Sequence, residues 1–132
     1  MTIVLVLVAA LAVPTSWGVR SLMMTRRAVL AYTQILTAAN GQDIENLRSL
    51  CTDRYLRDHP PEVSPGGGII GLPRGIHKNF QAWRVGEEVW LCPTNRVGPV
   101  YRFVFHDDRC EFDGLVGLLR AGGKVEKSDR NF

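Results

Sequence analysis

Two histidines are the best candidates in this chain for acid–base chemistry. His59 lies at the start of a stretch rich in proline and glycine, residues 58–75, with the sequence DHPPEVSPGGGIIGLPRG, and His77 follows its end. Histidine changes its charge near neutral pH, so an imidazole held in an apolar pocket could take up or release a proton there. A loop of this length in a small domain is usually functional or mobile. The alternative, that both histidines are ordinary loop residues, stays open.

A group of cationic residues closes the same loop. Arg74, His77, Lys78 and Asn79 place up to three cations and one amide within six positions. At the mouth of a pocket, such side chains could bind an anionic group through charge-assisted hydrogen bonds. The alternative is a solvated turn.

The motifs that would indicate a cofactor or a metal are out of context or missing from the sequence. Residues 66–71 match G-x-G-x-x-G, but prolines flank them where a dinucleotide site needs a strand and a helix. We therefore predict no cofactor. Cys51, Cys92 and Cys110 form no C-x-x-C pair, so we predict no metal site either. Free buried thiols are favoured. A Cys92–Cys110 disulfide stays open if their strands are neighbours and the domain is exported.

The N-terminus is predicted to be a membrane anchor. Residues 2–19 carry no charged side chain and begin with TIVLVLVAALAV. As a helix they would reach about 27 Å, close to the roughly 30 Å of a hydrocarbon core. We predict that residues 1–24 form a retained anchor in the membrane. A cleavable signal peptide and a buried helix are the alternatives.

Basic residues follow the uncharged run directly. The chain has a net charge of +3, and Arg20, Arg26 and Arg27 lie beside the hydrophobic run, where basic side chains typically meet lipid head groups. No basic stripe interleaved with aromatic residues is present, so we expect no nucleic-acid partner. The positive-inside rule places the domain in the cytoplasm, whereas the layout is that of exported proteins. The side of the membrane on which the domain lies stays open, with a slight preference for the extracytoplasmic side.

Behind the anchor, residues 25–121 are predicted to form one α+β domain, and residues 122–132 a loose polar tail. Apolar residues at helical spacing predict a first helix over residues 26–39, which Gly41 ends in a left-handed conformation. Asp43 is suited to cap a second helix, which must end before Pro60.

Two hairpins are predicted to follow the helices. Residues 80–85 and 88–92 form the first, and the sequence shows less clearly which of its side chains share a face. Residues 100–114, VYRFVFHDDRCEFDG, form the second, turning at an Asp-Asp pair. Their alternation puts aromatic side chains on the buried face and charged ones outside. The expected pairs are Phe105 with Cys110, Phe103 with Phe112, Arg102 with Asp113, and Val104 with Glu111.

This arrangement resembles a known superfamily. The helices RRAVLAYTQILTAANGQDIENLRSLCTDRYL, followed by strands that end in GPVYRFVFHDDRCEFDG, are similar to NTF2-like (cystatin-like, SnoaL-type) domains over roughly residues 26–119. The resemblance implies a cone, in which helices pack on the concave face of a curved, mostly antiparallel sheet with a pocket at the open end. The superfamily includes isomerases, dehydratases, transport factors and non-catalytic modules, so the fold alone does not choose a function.

The resemblance also implies candidates for a reaction. Isomerases of this superfamily use an acidic base and a hydroxyl or acid donor, and the residues of those types are Tyr32, Asp53, Tyr55, His59, His77 and Asp113. From the sequence pattern we expect Tyr32 in the core, Asp53 and Arg54 at a solvated helix end, and Asp113 in a surface pair.

We therefore expect a membrane-anchored, non-catalytic module that binds a partner protein or a small ligand at the opening of the cone. One alternative is an accessory subunit of a larger membrane complex, held by its N-terminal helix. The other is a small-molecule enzyme of the isomerase, dehydratase or hydrolase type.

Overall fold

The computed structural model describes residues 2–69, 72, 80–94, 97–107 and 109–127, with side chains from residue 18 onward. The described residues form an α+β fold in which helices pack on a curled antiparallel sheet. The helices and strands, in chain order, are α1 Thr2–Asn40, α2 Ile44–Leu50, α3 Asp53–Asp58, β1 Gln81–Val85, β2 Glu88–Cys92, β3 Gly98–His106, β4 Arg109–Leu119 and β5 Val125–Lys127.

The predicted anchor and the first predicted helix are one continuous helix, α1, of 39 residues. From residue 18 onward, the first buried side chain of α1 is Met24, and the buried stripe continues through the predicted positions, including Tyr32, Ile35 and Ala39. Over the residues whose side chains the structure describes, no helix is long and apolar enough to cross a membrane.

The end of α1 differs from the prediction by one residue. The left-handed position is Gln42, with a φ of 54°, rather than Gly41. The Gly41 N–H still donates to the Thr37 carbonyl, so the helical hydrogen bonding continues for one more residue. The Gln42 N–H then bonds the Ala39 carbonyl at 3.2 Å. This geometry belongs to a Schellman-type C-cap, which usually has glycine in the left-handed position.

The predicted second helix is divided into α2 and α3. Asp43 caps α2 as predicted, since its carboxylate accepts from the Asn46 N–H at 3.1 Å. Cys51 is extended and bridges to Phe112 of β4, and the Thr52 N–H donates to the Phe112 carbonyl at 2.9 Å. Thr52 then caps α3. The edge of β4 therefore interrupts the helix, a long-range effect that local periodicity does not contain.

The strands lie in the order β1-β2-β3-β4-β5, each antiparallel to its neighbours. Both predicted hairpins are present. In the second hairpin the pairs Phe105–Cys110, Phe103–Phe112 and Val104–Glu111 are confirmed. Arg102 and Asp113 are not direct partners, because the register of β4 shifts between Tyr101 and Phe103.

The prediction of a loose tail is wrong for Val125–Lys127, which form β5 against residues 117–119. Gly117 permits this pairing, because a Cβ at that position would collide with the backbone of Glu126. The Lys127 ammonium lies 5.7 Å from the centre of the Trp90 ring, although β3 and β4 separate their strands.

The sheet is apolar on both faces. The face toward α1 buries Phe103 and Phe112, with Phe105 packed at the margin, as the alternation predicts. The other face carries a second cluster around Trp90, Val100 and Val116. This second cluster explains why the faces of the first hairpin were ambiguous in the sequence: β2 is apolar in both directions.

Candidate functional site

The whole predicted anion site lies outside the residues that the structure describes. Arg74, His77, Lys78 and Asn79 all belong to this group. Their role, and any pairing of His77 with His59, stays a prediction.

His59 occupies a structural position at the end of α3. Its backbone N–H donates to the Tyr55 carbonyl at 2.8 Å. Its imidazole ring stacks on the Tyr55 ring, with the ring centres 5.1 Å apart and the planes inclined by 18°. The side chain is half-buried. These contacts are those of a residue that caps the C-terminus of α3.

Aromatic rings fill the space between α1 and the sheet. Tyr55 and Phe112 meet edge to face at 4.9 Å, and Tyr101 and Phe112 lie 5.7 Å apart. Tyr32 packs 6.5 Å from Tyr101, in the core as predicted. Burial raises the pKa of the phenol of Tyr101 to about 12, and it raises the pKa values of Tyr32 and Tyr55 as well. These phenols are therefore protonated at neutral pH.

Asp113 is the most heavily coordinated carboxylate in the described part of the chain. The Thr52 hydroxyl donates to its Oδ1 at 2.6 Å, and Arg54 contacts its Oδ1 and Oδ2 at 3.2 and 2.9 Å. Arg102 lies 3.8 Å from Oδ2. The hydrogen bond to Asp113 is the largest of the effects that raise the pKa of the Arg54 guanidinium. We call Thr52, Arg54, Arg102 and Asp113 the Asp113 cluster.

The Asp113 cluster corrects the prediction for Asp113 and adds contacts to the one for Arg54. Asp113 was expected in a surface pair, but it is only 9% exposed. Arg54 lies in the first turn of α3 with its side chain 46% exposed, as expected, and it also binds the carboxylate and the Asp113 carbonyl, the latter at 3.0 Å. Asp53 does lie exposed in the first turn of α3. The cluster joins α3 to β4, and this structural role is enough to explain why these four side chains lie together.

All three cysteines are free thiols. Cys92 and Cys110 belong to clusters on opposite faces of the sheet, and β3 separates their strands. The condition for a disulfide between them is therefore not met. Burial raises the pKa of the Cys51 and Cys110 thiols to about 12. They are not activated as nucleophiles. Over the described ranges, no group of His, Cys, Asp and Glu could hold a metal ion.

A cleft of about 530 Å³ opens where α1 passes the tips of both hairpins. We call it the hairpin-tip cleft. One wall is α1, and the opposite wall is the turn between β1 and β2 together with the tip between β3 and β4. Its lining residues are Val19, Arg20, Met23, Met24, Arg27, Glu87, Phe105 and Asp107.

An ion-paired bridge holds the two walls of the cleft together. Arg20 reaches Glu87 at 2.9 Å, and Arg84 contacts the other oxygen of Glu87 at 3.4 Å. Arg84 also donates to the Ser21 hydroxyl at 3.1 Å, so β1 is tied to α1 at this level. The cleft contains apolar side chains that remain in solvent, among them Met23 at 59% exposure.

The sequence reasoning located the pocket at the glycine-rich loop and missed the hairpin-tip cleft. A signal was present in SLMMTRR, where two methionines stand beside two arginines just after the uncharged run. Met23 is exposed, and exposed methionines are common at adaptable binding surfaces. The contribution of Glu87 and Asp107 could not be anticipated, because it depends on the docking of α1 against two hairpin tips.

No family model matches the chain, no curated protein matches it, and no solved structure matches it.

Proposed function

We propose that this chain is a membrane-anchored, non-catalytic binding module of the NTF2-like type, with the hairpin-tip cleft as its binding site. The observation that carries the proposal is the contrast between this cleft and the space beneath α1. The cleft is open and has exposed apolar walls, whereas packed aromatic rings occupy the space beneath the helix.

The anchor part of the proposal is supported by the sequence and by the continuity of α1. Residues 2–19 are uncharged, and they share one helix with the residues that pack on the sheet. Among the residues with described side chains, the first buried one in α1 is Met24. A helix that leaves a domain in this way can hold the cleft close to a membrane surface.

The NTF2-like part of the proposal is supported by the order and placement of the elements. Helices precede a curled antiparallel sheet, and α1 packs across one face of it. The hairpin-tip cleft lies at one end of this arrangement, which is where a cone would open.

The test uses the full chain in native membranes. Alkaline extraction should leave the protein in the membrane pellet. A photoreactive amino acid replacing Phe105, inside the cleft, should form adducts that the same group replacing Val97 does not. Val97 is a suitable control because it is exposed but lies at the other end of β3. Release at alkaline pH would contradict the anchor, and equal labelling at both positions would contradict the cleft.

An accessory subunit of a membrane complex is the second candidate. The observation in its favour is that Leu22 and Leu30 of α1 are 60% and 61% exposed, two turns apart on the helix. A neighbouring transmembrane or surface helix could cover them. Purification in mild detergent followed by light scattering separates the two candidates: a stable larger complex favours the subunit, and a lone monomer contradicts it.

A further inference from the structure

We infer that the hairpin-tip cleft binds an anionic lipid that enters it from the bilayer. The inference rests on the proposed function, because it takes residues 2–19 as the anchor and the cleft as the binding site. It adds the chemical class of the ligand and the direction from which the ligand arrives.

The position of the cleft along α1 is the first step. Its lining begins at Val19, the last residue of the uncharged run, and ends on the helix at Arg27. This stretch rises about 12 Å along the helix axis. Head groups and interface extend about 5–8 Å beyond the hydrocarbon core. An anchored helix would therefore place the first turns of the cleft at the level of the lipid head groups.

The apolar wall is the second step. Val19, Met23, Met24 and Phe105 form a surface that a hydrocarbon chain can cover. Val19 and Met23 remain more than half exposed without such a ligand. The flexible thioether of exposed Met23 can adapt to a chain that has no fixed shape. A small soluble anion would leave this wall in water.

Charge is the third step. Glu87 already has two guanidinium partners, Arg20 and Arg84. The lining carries two arginines, Arg20 and Arg27, and two carboxylates, Glu87 and Asp107. Arg84, which pairs with Glu87 from behind the lining, brings the count of described side chains to three cations and two carboxylates. Exposed Arg26 adds a further cation beside them. An excess of guanidinium groups next to an apolar wall matches a phosphate head group attached to an acyl chain.

The experiment uses the full chain in nanodiscs made either of phosphatidylcholine alone or of phosphatidylcholine with phosphatidylglycerol. Each preparation carries a trace of the corresponding photoreactive lipid, and the labelled peptide is identified by mass spectrometry. We expect phosphatidylglycerol to label the peptide with Met23 and Met24, and phosphatidylcholine to label it far less. Each lost arginine should lower the labelling about fivefold, and the R20Q/R27Q double variant about 30-fold.

The control variant is Arg120→Gln. Arg120 is also an exposed arginine paired with a glutamate, Glu126, but it lies at the turn between β4 and β5, away from the cleft. Its loss should leave the labelling unchanged. Met23→Gln should reduce labelling by the lipid chain, whereas Leu118→Gln, another exposed apolar position, should not. Circular dichroism of every variant checks that the fold persists.

Four results would overturn the inference. They are equal labelling by both lipids, labelling that R20Q/R27Q does not change, displacement of the lipid by soluble glycerol phosphate, and capture of an acidic peptide in place of lipid. These results leave alkaline extraction unaffected, so they can be told apart from a failure of the anchor. If alkaline treatment releases the protein while phosphatidylglycerol in detergent still labels Met23, the anchor is wrong and the ligand class stands.

Discussion

The Asp113 cluster and the hairpin-tip cleft both join a helix to the sheet through arginine and carboxylate side chains, but they differ in burial. Asp113 is almost enclosed and has three side-chain partners, whereas Arg20 and Glu87 in the cleft are 61% and 68% exposed. A buried carboxylate depends on its partners, because losing them leaves it without solvation. An exposed pair contributes little to stability and can exchange its partners. The first arrangement therefore fixes the fold, and the second leaves Arg20 exposed, as the proposed lipid site requires.

The largest expected effect is a loss of stability at alkaline pH. It arises in the packed interior that lies on the same side of the sheet as α1. Burial raises the pKa of Tyr101, Cys51 and Cys110 to about 12 from ordinary values of 10.0 for tyrosine and 9.0 for cysteine. Between about pH 9 and pH 12 the unfolded chain loses protons that the folded chain keeps. The stability that these buried groups contribute is therefore fully present below about pH 9, and it falls as the pH rises toward 12.

Urea unfolding at a series of alkaline pH values measures this effect. A free energy of unfolding that stays constant up to about pH 11 would contradict the burial of these groups. The matching thiol titration should find slow reaction of Cys51 in the native protein and three free thiols after denaturation without reductant.

Asp113→Ala should destabilise the protein most among the charge variants. It removes the acceptor of Thr52 and the main ion pair of Arg54, so we expect the free energy of unfolding to fall by about 2–4 kcal/mol. Equilibrium denaturation measures the change. Glu87→Ala is the matched control, since it removes an exposed carboxylate that also has two arginine partners. Equal losses in the two variants would remove the distinction between the two regions.

Thr52→Val should have an intermediate effect. Its hydroxyl both caps α3, accepting from the Tyr55 N–H, and donates to Asp113. Losing both interactions should lower the free energy of unfolding by about 1–3 kcal/mol. Thr33→Val is the control, because the exposed Thr33 hydroxyl donates to the Val29 carbonyl one turn earlier in α1. A Thr52 variant as stable as the Thr33 variant would show that the cluster does not hold α3.

Glu87→Gln should have the smallest effect. Its partner Arg20 is solvated, so the free energy of unfolding should change by about 0–1 kcal/mol. Because a competing carboxylate is gone, binding of anionic lipid in the cleft should be unchanged or tighter. Thermal denaturation and lipid photolabelling of the same sample measure both quantities. A large loss of stability, or a loss of lipid labelling, would assign Glu87 a role in the fold instead.

The sequence predicted best what depends on neighbouring residues. The alternation of Tyr101, Phe103 and Phe105 gave the buried face of the second hairpin, and Asp43 was correctly assigned as a cap. Both features arise from local periodicity and local hydrogen bonding.

The sequence failed where distant segments meet. The break between α2 and α3 depends on a bridge from Cys51 to Phe112, and the burial of Asp113 depends on partners about sixty positions earlier in the chain. The same is true of β5, which is polar and short, and is held by its pairing with β4. The hairpin-tip cleft combines α1 with two turns, so none of its three parts indicates a site alone.

The methyl groups of the methionines offer the most direct test of the claim that the cleft is the binding site. The chain has three methionines, and two of them, Met23 and Met24, line the cleft. In nuclear magnetic resonance spectra of methyl-labelled full-length protein, replacing phosphatidylcholine nanodiscs with nanodiscs containing phosphatidylglycerol should shift the Met23 and Met24 signals. The R20Q/R27Q variant should abolish these shifts. Signals of Met23 and Met24 that are identical in the two kinds of nanodisc would contradict the account.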